Sequence, residues 1–290
     1  MIRLLVLLFF SVFVVSADTV FTYMAKEDVS DPRKDYNIAL LKLALEKTVP
    51  MYGSYTLVSS QPMNYARARK EALNNTIPNF FFKNSVSQDY VTNLGYIPFP
   101  VDRGIVGYRV FFVSPAAKEK LTHVTTIEAL KGFSFIQGLG WLDTQILQYH
   151  GFNVLAGSSY RGLFGMVAKN RIDLFPRGAN ELLYEYENYK EIEGLTYDTT
   201  LTLYYPLPRF FFTNKKNVQA IKRIHEGILM AYKDGSLVTL WNKYYKESID
   251  FVALDKRKIL KLENPFLEGV DRSYEKYIYQ PNVLLKKKPN

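Results

Sequence analysis

The chain has no cysteine. That absence excludes disulfides, thiolate metal sites, iron–sulfur ligation and thiol nucleophiles. Histidine is scarce as well: His123, His150 and His225 stand far apart and form no close-spaced ligand motif. There is no HExxH pair, no G-x-S-x-G elbow and no P-loop lysine after a glycine run. Asp173 and Glu181 share one segment, but no second acid stands out as a partner for paired-carboxylate chemistry. No metal, no cofactor and no catalytic residue is therefore expected. Long apolar runs are missing too: nothing reaches the ~20 residues that a spanning helix needs. What is present is aromatic and basic, with 22 Tyr, 20 Phe and a net charge of +9 over 290 residues. More than half of that charge lies in residues 256–290, which hold nine Lys/Arg against four Asp/Glu and end in Lys286-Lys287-Lys288. A basic end of this kind is a solvated tail, so neither nucleic acid nor a stable membrane anchor is expected as a partner.

The first seventeen residues read as an address. Arg3 precedes an apolar run from Leu4 to Val15, and Ser16-Ala17 puts small residues before Asp18. This is the layout of a secretory signal cleaved after Ala17, which predicts a periplasmic mature chain. Secretion without cysteine fits a bacterial periplasm better than a small disulfide-rich fold.

Strand and helix patterns alternate after Asp18. Val20–Met24, Tyr55–Val58 and Asn79–Phe82 read as strands, separated by helical patterns over Ile38–Lys47 and Asn64–Leu73. A second cycle follows. Val106–Val113 and Phe133–Ile136 read as strands, with Thr125–Glu128 as a capping box between them. Gly138-Leu139-Gly140 turns into a helix from Trp141, Ser158 or Ser159 caps another, and Ile172–Phe175 is a further strand. Pro206 and Pro208 then interrupt an aromatic stretch, as a crossing segment requires. Two helical patterns follow, separated by Asp234-Gly235-Ser236. Such alternation predicts an α/β fold with crossover helices.

Three segments resemble the amino-acid-binding type of extracellular solute-binding protein, the receptor of an ABC importer. They are Ile127–Gly132 followed by Phe133–Ile136, then Met166–Asp173, then Ala231–Tyr244. The resemblance implies a two-lobe type II periplasmic-binding-protein fold. Each lobe would be a mixed, mostly parallel sheet flanked by helices, with two crossover hinge segments. Lobe 1 would comprise 18–105 plus 206–290, and lobe 2 would comprise 106–205. It further implies a monomer that closes on a small solute and hands it to an inner-membrane ABC permease or a sensor protein. A degenerate interaction or scaffold module is the alternative, and a periplasmic lyase or dehydratase on the same fold is another.

Two family anchors are missing. In the stretch Ser85-Val86-Ser87-Gln88-Asp89-Tyr90, a tyrosine stands where the family has the arginine that binds the ligand carboxylate. After Asp173, Gly178 with Arg177 beside it stands where an aspartate holds the ligand ammonium. An anionic group on the solute is therefore expected. The candidate ligand residues are Tyr23, Ser85, Ser87, Tyr90, Arg103, Arg109, Trp141 and Arg177. Arg177 lies at a strand's carboxyl end, where open α/β sheets place ligands, or else pairs with an acid such as Glu181. Arg103 and Arg109 flank glycines at the first crossover and serve either the cleft or hinge ion pairs. Trp141 offers a stacking ring behind free helix amides, or a core side chain. Ser85 and Ser87 are hydroxyl ligands or turn and cap residues, and Tyr23 is a cleft-edge or a core tyrosine.

Overall fold

The computed structural model describes residues 18–25 and 35–281. The leader read at 1–17 and the Lys286–Lys288 cluster lie outside them. In chain order the first unit runs β1 (Thr19–Tyr23), α1 (Asp35–Tyr52), β2 (Tyr55–Ser59), α2 (Tyr65–Asn74), β3 (Phe80–Ser85), α3 (Gln88–Asn93) and β4 (Gly95–Ile97). The second begins with β5 (Tyr108–Val113), α4 (Pro115–Thr122), α5 (Ile127–Leu130), β6 (Ser134–Gly138) and α6 (Leu142–Tyr149). It continues with β7 (Asn153–Gly157), α7 (Tyr160–Ala168), β8 (Leu174–Gly178), α8 (Leu182–Tyr189), β9 (Thr196–Tyr197) and β10 (Leu201–Tyr204). The chain then returns through β11 (Arg209–Thr213), α9 (Val218–Lys233), α10 (Ser236–Val252) and β12 (Lys258–Lys261).

These strands form two mixed sheets, ordered β2-β1-β3-β11-β4 and β12-β10-β5-β8-β6-β7, with β9 paired to β5. Within each sheet the consecutive βα units pair in parallel, β1 with β2 and β3, and β6 with β7 and β8. The strands that carry the chain across, β5, β10 and β11, supply antiparallel pairs. Phe80, Phe81 and Phe82 are all buried, which explains a continuous apolar run in a strand covered on both faces.

Local signals set several boundaries. Asn64 caps α2 by accepting from the Arg67 amide at 2.9 Å, and Ser159 caps α7 by accepting from Gly162 at 3.2 Å. The cap of α5 is Thr126, one residue later than the expected box at Thr125, with its hydroxyl 3.2 Å from the Ala129 amide. That shift puts Glu128 in the first helical turn, where its charge faces the helix dipole.

The chain passes between the sheets at residues 98–107 and again at 205–208. A third passage was not expected. The C-terminal segment, read with the first lobe, adds β12 to the second sheet, with Leu201 to Tyr204 paired in parallel to Lys258 to Lys261. The free edge of β10 would otherwise present unpaired backbone groups, and the short Lys258-Ile259-Leu260-Lys261 strand covers it.

On the first sheet, α1 and α9 cross very closely at Gly227. A Cβ there would overlap the Ala44 carbonyl oxygen and lie within 2.6 Å of its carbon. Alanine normally stabilises a helix interior by about 1 kcal/mol over glycine. Overpacking against rigid backbone opposes this with about 1–3 kcal/mol. Gly227→Ala should therefore be net destabilising in urea unfolding, and a gain in stability would show that the crossing has room.

Candidate functional site

The carboxyl end of β3, the start of α6 and the carboxyl end of β8 face one another between the sheets. β3 ends at Ser85, and Ser87 caps α3 by accepting from the Tyr90 amide at 3.4 Å. β6 ends at Gly138, the chain turns through Gly140 at φ +78°, and α6 begins behind Trp141. β8 ends at Gly178, and a tight turn with Glu181 N donating to Gly178 O at 2.8 Å folds α8 back over the strand.

This junction is filled by the chain's own charges. Arg177 donates to both oxygens of Glu185, at 2.7 and 2.6 Å, and lies 2.9 Å from Glu181. Tyr160 also donates its hydroxyl to Glu185. Glu181 reaches Arg209 at 3.3 Å, Arg209 lies 3.7 Å from Asp102, and Asp102 pairs with Lys83 at 3.1 Å. Positive and negative groups thus alternate from β3 on the first sheet to α8 on the second. A second pair, Arg109 with Asp143 at 2.7 Å, sits beside it, and Tyr205 donates to Asp143 at 2.6 Å. Burial disfavours charge on Arg177, but Glu181 and Glu185 together hold it well above its ordinary arginine value. Burial dominates at Lys83 and lowers its pKa, with Asp102 partly opposing.

The network splits the space between the sheets. At its centre Ser85, Trp141, Arg177 and Arg209 leave a void of only about 40 Å³. On one side lies a cavity of about 560 Å³, bordered by Asn84, Ser85, Ser87, Gln88, Asp89 and Tyr90 from the first sheet's side. Gly140, Leu142 and Gln145 border it from the second, and Pro265, Phe266, Glu268 and Gly269 close it from the C-terminal segment. On the other side lies a void of about 170 Å³ walled by Tyr184, Tyr244 and Tyr245.

The sequence candidates therefore separate. Ser85, Ser87 and Tyr90 border the large cavity, and Ser85, Trp141 and Arg177 border the central void. Tyr90 accepts from Asn84 at 2.7 Å and packs edge-on to Phe212. Trp141 stacks on Phe175, with the Arg177 guanidinium 4.9 Å from its ring centroid, so its indole face covers a cation of the chain itself. Arg177 is 1% exposed and committed to its carboxylates. Arg109 is fully buried, donates to the Val106 carbonyl at 2.9 Å and pairs with Asp143. Arg103 turns away: it donates to the Tyr277 carbonyl at 3.3 Å and lies 5.3 Å from the Trp241 ring centroid. Tyr23 borders a void of about 20 Å³ among Met24, Phe81 and Phe211. Sequence reasoning passed over Gln88, Gln145, Phe266 and Glu268 on the cavity wall, and Lys83, Asp102, Asp143, Glu185 and Arg209 in the network. Among the described residues no group of three His, Cys, Asp or Glu is placed to hold a metal ion. No helix among them is long and apolar enough to cross a membrane.

No protein-family model matches this chain, and no curated protein matches its sequence. Solved structures do match its architecture over nearly their whole length. An ancestral arginine-binding protein bound to arginine superposes with a TM-score of 0.58 at 14% identity, covering 78% of this chain and 98% of that chain. The chain has the type II periplasmic-binding-protein fold. A probable amino-acid ABC transporter extracellular-binding protein from Bacillus subtilis matches this two-lobe fold equally well, with a TM-score of 0.58, 12% identity, and 79% and 98% of the two chains covered. So does an ancestral amino acid-binding protein described as a precursor of cyclohexadienyl dehydratase, with a TM-score of 0.56, 11% identity, and 78% and 96% covered. The large cavity opens between the two sheets, and the ion network occupies the space beside it.

Proposed function

We propose that this chain is a periplasmic solute-binding protein that holds a small polar solute bearing an anionic group in the 560 Å³ cavity. It closes by hinge motion and delivers to an importer permease or a sensor. The observation that carries this reading is the start of α6 on the cavity wall. Trp141 supplies no side-chain cap, Leu142 borders the cavity, and the Leu142 amide has no partner among the described residues. Open amides at a helix start favour an anion through both hydrogen bonding and the dipole. Among the described residues no lysine or arginine borders this cavity, so the solute's anion is read by backbone amides and not by Arg103, Arg109 or Arg177. Closure is driven by the difference in ligand affinity between open and closed states.

A proline at Leu142 tests this directly. It is the first helical residue, where proline is tolerated, and it removes the amide proton. Trp141 already has the extended backbone that a following proline demands. Calorimetry with L-arginine and L-glutamate should show Leu142→Pro weaker by about 10- to 100-fold for both, because a hydrogen bond to a charged group contributes about 1.5–3 kcal/mol. Leu142→Ala, which keeps the amide, should bind as the wild type does. Equal affinity in Leu142→Pro and Leu142→Ala would refute the anion assignment.

One observation favours a second reading. The ion network nearly fills the centre between the lobes, as a scaffold that no longer opens would require. That reading predicts no thermal shift from any solute. A receptor at ~100 times its dissociation constant gains ~2.7 kcal/mol.

A further inference from the structure

We propose that the C-terminal segment is a working wall of this cavity, and that Glu268, with the ring of Phe266, recognises a cationic group on the solute, an ammonium or a guanidinium. The inference rests on the solute-binding reading and adds the other end of the solute.

The segment is held to both lobes, so its position at the cavity is fixed. On the second sheet, β12 pairs with β10, Leu262 N donates to Tyr204 O at 2.8 Å, and the His150 imidazole lies 2.9 Å from Glu263 O. At the crossover, Asn264 donates to the Pro206 carbonyl at 2.9 Å. On the first sheet, Leu267, Val270 and Tyr274 are buried in the cluster that holds Phe80, Phe82 and Phe210. Between these anchors Pro265, Phe266, Glu268 and Gly269 border the cavity, while Leu267 is buried beneath them. Gly269 adopts φ +75° with its α-carbon turned to Gln88, and a Cβ there would lie 3.2 Å from Gln88 Oε1. Left-handed backbone of this kind favours glycine and lets the segment approach α3 closely.

Charge then selects the ligand group. Among the described residues two carboxylates border the cavity, those of Asp89 and Glu268, and no lysine or arginine does. Asp89 is paired with Arg69 at 2.9 Å. The Glu268 carboxylate has no partner among the described residues. Phe266 borders the cavity from the same segment as Glu268, and a cation gains both from an unpaired carboxylate and from a ring face. An anion at α6 and a cation at Glu268 would occupy different walls of one cavity.

The probes are L-arginine and L-citrulline, which differ by guanidinium against neutral ureido. Calorimetry on the full mature chain should show Glu268→Gln weaker for arginine by about 5-fold, the scale of an exposed ion pair, with citrulline changed less than about 2-fold. Glu268 is exposed, so the variant should melt with the wild type. Phe266→Ala should also weaken arginine more than citrulline. An unchanged arginine-to-citrulline ratio in both variants overturns this inference and leaves the solute reading standing. Failure of the wild type to bind arginine, citrulline and glutamate alike overturns both.

Discussion

Arg177→Met should lower the unfolding free energy by about 3–5 kcal/mol at neutral pH, because it strands buried carboxylates without their cation. The side chain sits between Glu181 and Glu185, and all three are almost wholly withdrawn from water. Glu181 would keep Arg209 at 3.3 Å and the Gly178 amide at 2.9 Å, but among the described residues Glu185 would keep only the Tyr160 hydroxyl. The larger share of the loss therefore falls on Glu185. Arg177→Lys should recover only part of it, since a point charge cannot serve both Glu185 oxygens and the Trp141 face together. The triple change Arg177→Met, Glu181→Gln, Glu185→Gln should lose much less than Arg177→Met alone, because removing a whole buried ion cluster is often close to neutral. Urea unfolding of the three variants checks the order. Arg177→Met within 1 kcal/mol of wild type would show that the carboxylates find other partners.

The same residue shows where sequence reading stops. That Arg177 ends a buried strand beside the cleft was legible from the apolar run and Gly178 after it. Its pairing with Glu181 was one of two open alternatives, and the structure adds Glu185. Glu185 is eight residues on and reaches the strand only because the turn at Gly178 to Glu181 folds α8 back. Linear spacing carries no signal for that reversal. The two crossovers were readable because prolines and glycines mark them. The third passage was hidden, since β12 is four residues long and its partner strand lies 57 residues earlier. Residues 256–290 read as a basic tail by composition, yet their described part buries Leu267 and Tyr274 and supplies Phe266 and Glu268 to the cavity. Net charge over a segment carries no information on which of its positions are buried, and Leu267, Val270 and Tyr274 are invisible in it. The aromatic content was more informative: nine of its rings are buried in β3, β5 and β11, as the apolar runs there lead one to expect.

Tyr274→Ala should cost about 3–5 kcal/mol of stability, the range for truncating a large buried aromatic, and should weaken arginine binding as well. The ring is buried and packs edge-on to Phe210 at 5.2 Å, so it anchors the C-terminal segment to the first sheet. Without it, residues 265–269 lose the hold that places them on the cavity wall, and a bound solute must order them again at an entropic cost. Stability loss alone cannot distinguish this from general loosening, so a matched control is needed. Leu121 is fully buried in the second sheet's core on α4, away from the cavity wall. Leu121→Ala should lose about 2–5 kcal/mol in urea unfolding and leave arginine affinity unchanged under conditions where the protein stays folded. Tyr274→Phe keeps the ring and should hold affinity near wild type. If Tyr274→Ala and Leu121→Ala lose stability equally and both bind arginine as tightly as the wild type, the segment is a brace between the lobes and not part of the site.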